Sequence, residues 1–205
     1  MCGRFCIAAS PGEITERYGI AVPQEYQPRY NVAPGQKILT ITSSSPELIE
    51  WGFVVGTMKR IMNARIESVH KKALFKNLFS DHRCLIPASG YYEWKHEGSH
   101  KIPYYFSSES SDLLSFAGLV RPSKDGDQVV ILTTQAPAPY SVIHNRMPVI
   151  LDAGEEQKFL SEGKISPGPQ VQMFEVSSMV NQVTVDTPDL IKPVKKSFVQ
   201  QSLDF

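Results

Sequence analysis

Residues 84–106, CLIPASGYYEWKHEGSHKIPYYF, decide the fold. Two runs within this segment, Gly90–Lys95 and Ile102–Phe106, are rich in aromatic side chains that suit a pleated, half-buried surface. Between them, His96-Glu97-Gly98-Ser99 has the composition of a tight turn, so the segment reads as a β-hairpin. Further strands are expected downstream at Leu113–Leu119, Val129–Thr133, Pro148–Leu151 and Val171–Val176, and upstream at Lys37–Ile41 and Leu48–Phe53. Helical signals are fewer. Ser10-Pro11-Gly12-Glu13 is a capping box with proline at the first helical position, Ile14 and Tyr18 share one face, and Gly19 stops the helix. Ser68 is expected to cap a helix running to Phe79, with Leu74 and Leu78 at helical spacing, and Asp152–Glu155 to start one ending near Leu160. Many strands, few helices and no regular βαβ alternation predict an α+β protein. Residues 1–205 are read as one domain around a strongly bent, barrel-like, mainly antiparallel sheet with peripheral helices.

The chain has 205 residues, with 21 Lys plus Arg against 21 Asp plus Glu. A neutral chain cannot hold nucleic acid by global attraction, so any such site must be a local cluster of cations. Three cysteines, Cys2, Cys6 and Cys84, are too few for a disulfide framework, and no CxxC pair offers a zinc site. No metal or organic cofactor is expected. The N-terminus MCGRFCIAAS has no signal-peptide pattern and no apolar stretch approaches the ~20 residues of a membrane span, so a cytosolic, or in a eukaryote nuclear, monomer is expected.

Cys2 offers unusual chemistry. Methionine before a small residue favours removal of Met1, which would leave Cys2 with a free amine beside its thiol. An α-amine has a pKa near 7.7–8.0 against about 10.4 for lysine, so its neutral, nucleophilic fraction at pH 7 is roughly hundreds of times larger. It can condense with an aldehyde, and the neighbouring sulfur can close a five-membered thiazolidine. The same two groups also suit an N-terminal nucleophile hydrolase, in which the thiol attacks an amide and the amine is its base. Class II glutamine amidotransferases begin this way, with Met-Cys-Gly, and Cys2 alone does not separate the two. Read alone, Cys2 is also compatible with a small buried hydrophobe.

Five motifs follow one another in order: MCGRF (1–5), RYNVAPGQ (29–36), MNARIES (62–68), SGYYEWK (89–95) and IHNRMPVIL (143–151). Together they resemble the SOS-response-associated peptidase (SRAP) family over about three quarters of the chain. The resemblance implies binding of single-stranded DNA containing abasic sites, captured by the N-terminal cysteine as a thiazolidine crosslink; the family name records an older proposal of thiol autopeptidase activity. It further implies that Cys2 is the nucleophile and that Asn63 hydrogen-bonds the opened sugar. Glu93 would move protons at the amine and ring, and His144 would act on the sugar hydroxyl or imine. A carboxylate and an imidazole suit imine formation, which must carry a proton from amine to departing water. Without the resemblance, Asn63 reads as satisfying a turn, Glu93 as a solvent-facing strand position and His144 as a loop histidine. Strand-cleaving lyase activity and a non-covalent single-stranded DNA binder remain open alternatives.

For DNA, Arg4, Arg65 and Arg146 each flank a candidate catalytic residue and are read as phosphate clamps. Arg29 is expected to orient the RYNVAPG loop or pair with a carboxylate. Lys192–Lys196 is a small basic patch, read chiefly as a solvated segment. Some family members follow the WG motif with paired tryptophans that wedge between bases. Here Trp51-Gly52-Phe53 leads to Met58 without that pair, so Met58 is the candidate base contact and Trp51 a core residue.

Overall fold

The computed structural model describes residues 2–56, 59–110, 113–166 and 168–194. Met1, Met58, Lys195 and Lys196 lie outside the described residues. From the N-terminus the chain forms β1 (Phe5–Ile7) and α1 (Pro11–Tyr18), followed by β2 (Arg29–Val32), β3 (Lys37–Ile41), β4 (Pro46–Trp51), β5 (Phe53–Val55), β6 (Lys59–Ile61) and β7 (Asn63–Arg65). The capping box forms as read: Ser10 Oγ accepts from Glu13 N at 3.3 Å, Glu13 Oε2 accepts from Ser10 N at 2.7 Å, and Gly19 ends the helix at φ 66°. The single strand expected at Leu48–Phe53 is divided at Gly52. Its φ of 106° is open to glycine, and an added Cβ would meet Arg60 Cγ at 2.6 Å.

Two short helices follow, α2 (Ile66–Val69) and α3 (Ala73–Asp81), in place of the one helix expected from Ser68 to Phe79. Ser68 lies inside α2 and caps nothing by its side chain; its carbonyl takes both Lys71 N and Lys72 N, which closes that turn before α3 starts. Phe75, not Leu74, is the buried anchor.

Next come β8 (Arg83–Ala88), β9 (Gly90–Glu97), β10 (His100–Ser108), β11 (Leu114–Arg121) and β12 (Gln128–Gln135). The expected hairpin is β9–β10, extended at both ends and in register from Glu97↔His100 to Gly90↔Ser107, with Gly98 at φ 59° in its turn. The strand expected at Pro148–Leu151 becomes β13 (Arg146–Pro148) and β14 (Ile150–Leu151). Val149 donates to Leu132 O and accepts from Ala117 N, so the chain passes there from β12 to β11. A last helix, α4 (Glu156–Glu162), and strand, β15 (Val171–Glu175), complete the order before two 3-10 turns, Ser178–Asn181 and Pro188–Ile191.

Strands β12, β4, β3, β8 and β11 close on one another into a five-stranded barrel, because β11 pairs back with β12. β12 runs parallel to β4 and to β7, which makes the barrel mixed within an otherwise antiparallel arrangement. A second sheet has the order β15-β10-β9-β1-β2. Alternate barrel residues serve two cores. Leu85, Leu119, Val130 and Leu132 pack with Val69, Phe75 and Phe159 from the helices, while Ile86, Phe116 and Ile131 pack with Phe5, Tyr91 and Phe106 from the second sheet. The other face of that sheet buries Cys6, Tyr92 and Tyr105 under Val180 and Leu190 of the 3-10 turns. This α+β barrel is the fold expected.

No helix among the described residues is long and apolar enough to cross a membrane.

Candidate active site

Cys2 sits just ahead of β1 and is fully buried. The ladder that places it is short: Phe5 pairs with Val32 of β2 and with Tyr91 of β9, and Tyr92 N donates to Arg4 O at 3.0 Å. Burial, with the Glu93 carboxylate nearby, pushes the Cys2 thiol well above its ordinary range. Among the described residues its sulfur makes only a long contact, 3.9 Å, to the Arg4 carbonyl.

Asn63 opens β7, held in parallel register against Ile131 of β12. That strand carries the side-chain amide to Cys2, where Nδ2 donates to the Cys2 carbonyl oxygen at 2.8 Å. Asn63 Oδ1 is buried and has no hydrogen-bond partner among the described residues. Unpaired buried polar atoms are costly in a finished core, so an acceptor held open here is what a substrate hydroxyl or amine would fill.

Glu93 lies on β9, with 3% of its surface exposed. It is therefore no solvent-facing strand position. Burial raises its pKa to about 7, which leaves it able to hold or release a proton at neutral pH. His144 follows the 3-10 turn Tyr140–Val142 and precedes β13. Its Nδ1 accepts from Arg146 N at 3.0 Å in one tautomer and donates to Arg146 O at 3.1 Å in the other, so this edge of the ring is held to β13 either way. The same Nδ1 stands 3.9 Å from Glu93 Oε1, beyond hydrogen-bond reach. Partial burial lowers the His144 pKa, so the ring is neutral at pH 7.

The chain thus brings Cys2, Asn63, Glu93 and His144 from four separate segments to one place. Glu93 and His144 line a cavity of about 330 Å³ with Trp94, His96, Lys101 and Asn181. A larger apolar cleft of about 520 Å³ around Pro139, Tyr140 and Ile150 contains none of the four. Among the described residues no group of three or more His, Cys, Asp or Glu is arranged to hold a metal.

The cations behave less uniformly than the sequence suggests. Half-buried Arg4 gives Nη1 to Asn31 Oδ1 at 2.7 Å and to Val180 O at 2.8 Å, so its charge is largely spent on holding the Ser178–Asn181 3-10 turn. Arg146 forks onto Glu67, at 2.7 and 3.0 Å, and onto Thr133 O at 2.6 Å. Arg65 is exposed and has no ion pair among the described residues. Arg29 binds Asp186, and Lys192 pairs with Asp189 at 2.7 Å. Trp51 is core, its Nε1 donating to Met62 O at 2.9 Å.

A family model described as "SOS response associated peptidase (SRAP)" matches residues 1–186. The chain belongs to the SRAP family. A relative named abasic site processing protein YoqW, from Bacillus subtilis (strain 168), is 33% identical over 94% of this chain and 99% of its own length. The abasic site processing protein YedK of Escherichia coli (strain K12) is 28% identical over 95% of this chain and its full length, and HMCES of Gallus gallus 28% over 83% and 67%. A crystal structure of a protein from Bacteroides thetaiotaomicron shares the fold at a TM-score of 0.79, with 22% identity over 94% of this chain and all of that one.

Two features of this SRAP chain escape a reading of the sequence. Asn31 and Asp186 are joined across more than 150 residues, Asp186 Oδ1 accepting from Tyr30 N and Asn31 N, and no local signal marks that pairing. Tyr91, two residues before Glu93 on the same strand face, has a buried hydroxyl beside the site. The period-2 alternation of GYYEW was the signal available for it.

Proposed function

We propose that this SRAP chain, once Met1 is removed, captures the aldehyde of an abasic site in single-stranded DNA as a thiazolidine on Cys2. The observation that carries the reading is the hydrogen bond from Asn63 to the Cys2 carbonyl at 2.8 Å, which fixes residue 2 itself, backbone included, beside a carboxylate with a pKa near 7. A site built only to use a sulfur would not need to grip the main chain of the cysteine. The names of the relatives, abasic site processing proteins, point to the same substrate.

The amine attacks C1′ of the opened deoxyribose and gives a carbinolamine. One amine proton passes to the oxygen, and protonated Glu93 supplies the proton with which the hydroxyl leaves as water, giving a protonated imine that keeps its N–H. The sulfur then adds to the imine carbon; the C=N electron pair returns to nitrogen, and the thiol proton goes back to Glu93. Amine, thiol and aldehyde become thiazolidine plus one water. His144, neutral with Nε2–H, donates to the sugar hydroxyl, and Asn63 Oδ1 accepts from it. Because burial disfavours the free thiolate, chemistry that starts at the amine is preferred over amide hydrolysis that starts at sulfur. The imine can also lose the 3′ phosphate by elimination, a lyase side reaction that ring closure suppresses.

The protein acts stoichiometrically, as a monomer, wherever DNA is exposed as single strand, in nucleoid or nucleus. Exposed Arg65 meets backbone phosphate, whereas Arg4 and Arg146 serve chiefly to position the strands that carry Cys2 and His144. Incubation with an oligonucleotide bearing one abasic site gives a band shift that survives denaturation. Cys2→Ala abolishes it, while Cys6→Ala and Cys84→Ala keep it. Retention of Met1 in the intact mass of active protein, or an adduct formed equally by Cys2→Ala, would exclude the mechanism.

A further inference from the structure

Ring closure requires the most buried of the reacting groups, the Cys2 sulfur, to give up its proton in surroundings that oppose a negative charge. Among the described residues, the one hydrogen-bond contact of that sulfur is its own donation to the Arg4 carbonyl, at 3.9 Å, an acceptor that does nothing for a thiolate. A donor is needed, and one is waiting nearby.

Tyr91 is 1% exposed, yet its hydroxyl has no hydrogen-bond partner among the described residues. The ring itself is well held. It stacks on Phe106 at 4.7 Å with planes 11° apart and meets the edge of Phe116 at 6.0 Å, while its backbone pairs with Phe5. Cys2 lies in the same buried cluster as the ring, Tyr140 packs against that cluster, and Glu93 follows two residues on along the same strand face; all three act electrostatically on the hydroxyl. Of these, Tyr140 already accepts from Val171 N at 3.1 Å. The neighbouring Tyr92 makes the contrast plain: on the opposite strand face, its hydroxyl donates to Tyr30 O at 2.7 Å. A phenylalanine would fill the Tyr91 site as well, without a buried polar atom to satisfy.

We propose that the Tyr91 hydroxyl is kept open to donate a hydrogen bond to the Cys2 sulfur as it becomes a thiolate, which makes Tyr91 a further residue of the ring-closing step. The inference rests on the thiazolidine reading above. No net proton leaves Tyr91. The thiol proton passes to Glu93, the phenol stays protonated, and the new S–C bond forms while the imine pair returns to nitrogen. A charge-assisted hydrogen bond is about twice as strong as a neutral one, so the donor favours the transition state over the resting thiol.

Tyr91→Phe separates the two halves of the reaction. Mixing with abasic oligonucleotide and quenching with borohydride counts imine plus ring, whereas denaturing without borohydride counts the ring alone. In Tyr91→Phe the borohydride-trapped imine forms at the wild-type rate and accumulates, ring closure falls by roughly tenfold or more, and the melting temperature is unchanged or a few degrees higher. An ultraviolet titration of the Cys2 thiol, by difference from Cys2→Ala, moves to higher pH in Tyr91→Phe. Tyr92→Phe lowers the melting temperature and leaves the closure rate alone. Closure at the wild-type rate in Tyr91→Phe overturns the inference, as does equal slowing of both steps with a lowered melting temperature. If wild type gives no Cys2-dependent adduct at all, the thiazolidine reading falls first and takes the inference with it.

Discussion

Asn63 Nδ2 donates to the carbonyl oxygen of Cys2 at 2.8 Å, across a sequence separation of 61 residues. That bond ties Cys2 to β7, which is held in turn by its parallel register with β12. Asn63→Ala should lower the crosslinking rate by about 10- to 100-fold through lost orientation, at a stability cost of only about 1–2 kcal/mol. Asn63→Asp, which keeps an acceptor but loses the amide donor, should behave like Ala. Single-turnover rates on an abasic oligonucleotide, read with chemical denaturation, check both, and a full rate in either variant would take Asn63 out of the site.

Glu93 predicts a pH signature. Its pKa in the folded chain stands at about 7 against an ordinary 4.5, so between those values the folded protein holds a proton that the unfolded chain has released. Stability therefore falls as pH rises through that window and levels off above it. Glu93→Gln removes the penalty: the variant and wild type should match below about pH 4.5 and diverge above, with a ceiling of about 3 kcal/mol in favour of the variant beyond pH 7. Denaturant midpoints from pH 4 to 8 give the curve. The same variant should form and release the crosslink slowly, since ring opening retraces ring closure, and release at the wild-type rate would deny Glu93 its proton-transfer role.

The arginines should split into two kinds. Arg4→Ala leaves Asn31 Oδ1 and Val180 O without their charged donor and should cost about 2–4 kcal/mol of stability. Exposed Arg65→Ala should change stability by less than about 0.5 kcal/mol while reducing the slope of log affinity against log salt by about 0.7, one single-strand phosphate. Binding titrations at several salt concentrations, paired with melting curves, distinguish them.

How much of this was legible in the sequence follows physical lines. The hairpin of Gly90–Glu97 and His100–Ser108 was visible because aromatic alternation and a glycine turn are local facts. The capping box at Ser10 was visible for the same reason. The helix expected from Ser68 was not one helix, since the break lies where tertiary packing seats Val69 and Phe75 separately, and side-chain spacing carries no record of that. Closure of the barrel through the β11–β12 pairing and the parallel β4–β12 contact joins segments far apart in the chain. The candidate site divides in the same way. The residue types at Cys2, Asn63, Glu93 and His144 could be named, but the diversion of Arg4 and Arg146 into internal bonds depends on partners as distant as Val180.

Gly90 tests the packing behind the site. A Cβ there would stand 2.3 Å from Phe106 O, a backbone atom that cannot retreat from a paired strand, and 2.5 Å from the Tyr105 hydroxyl of a buried side chain. Gly90→Ala should cost about 3 kcal/mol or more and weaken Cys6 and Tyr91 as neighbours of the ladder. Thermal melts read the loss directly, and a stability change under about 1 kcal/mol would show that β9 and β10 can separate more easily than the register suggests.

The strap from Ser178 to Ile191 reaches back to Arg4 and Asn31, so β1 and β2 acquire their final surroundings only after the segment around Val180 and Gln182 has been made. Cys2, two residues ahead of Arg4, is completely buried in the folded chain. The order of synthesis thus becomes an order of assembly: the strands at Arg4 and Asn31 wait on the segment that pins them.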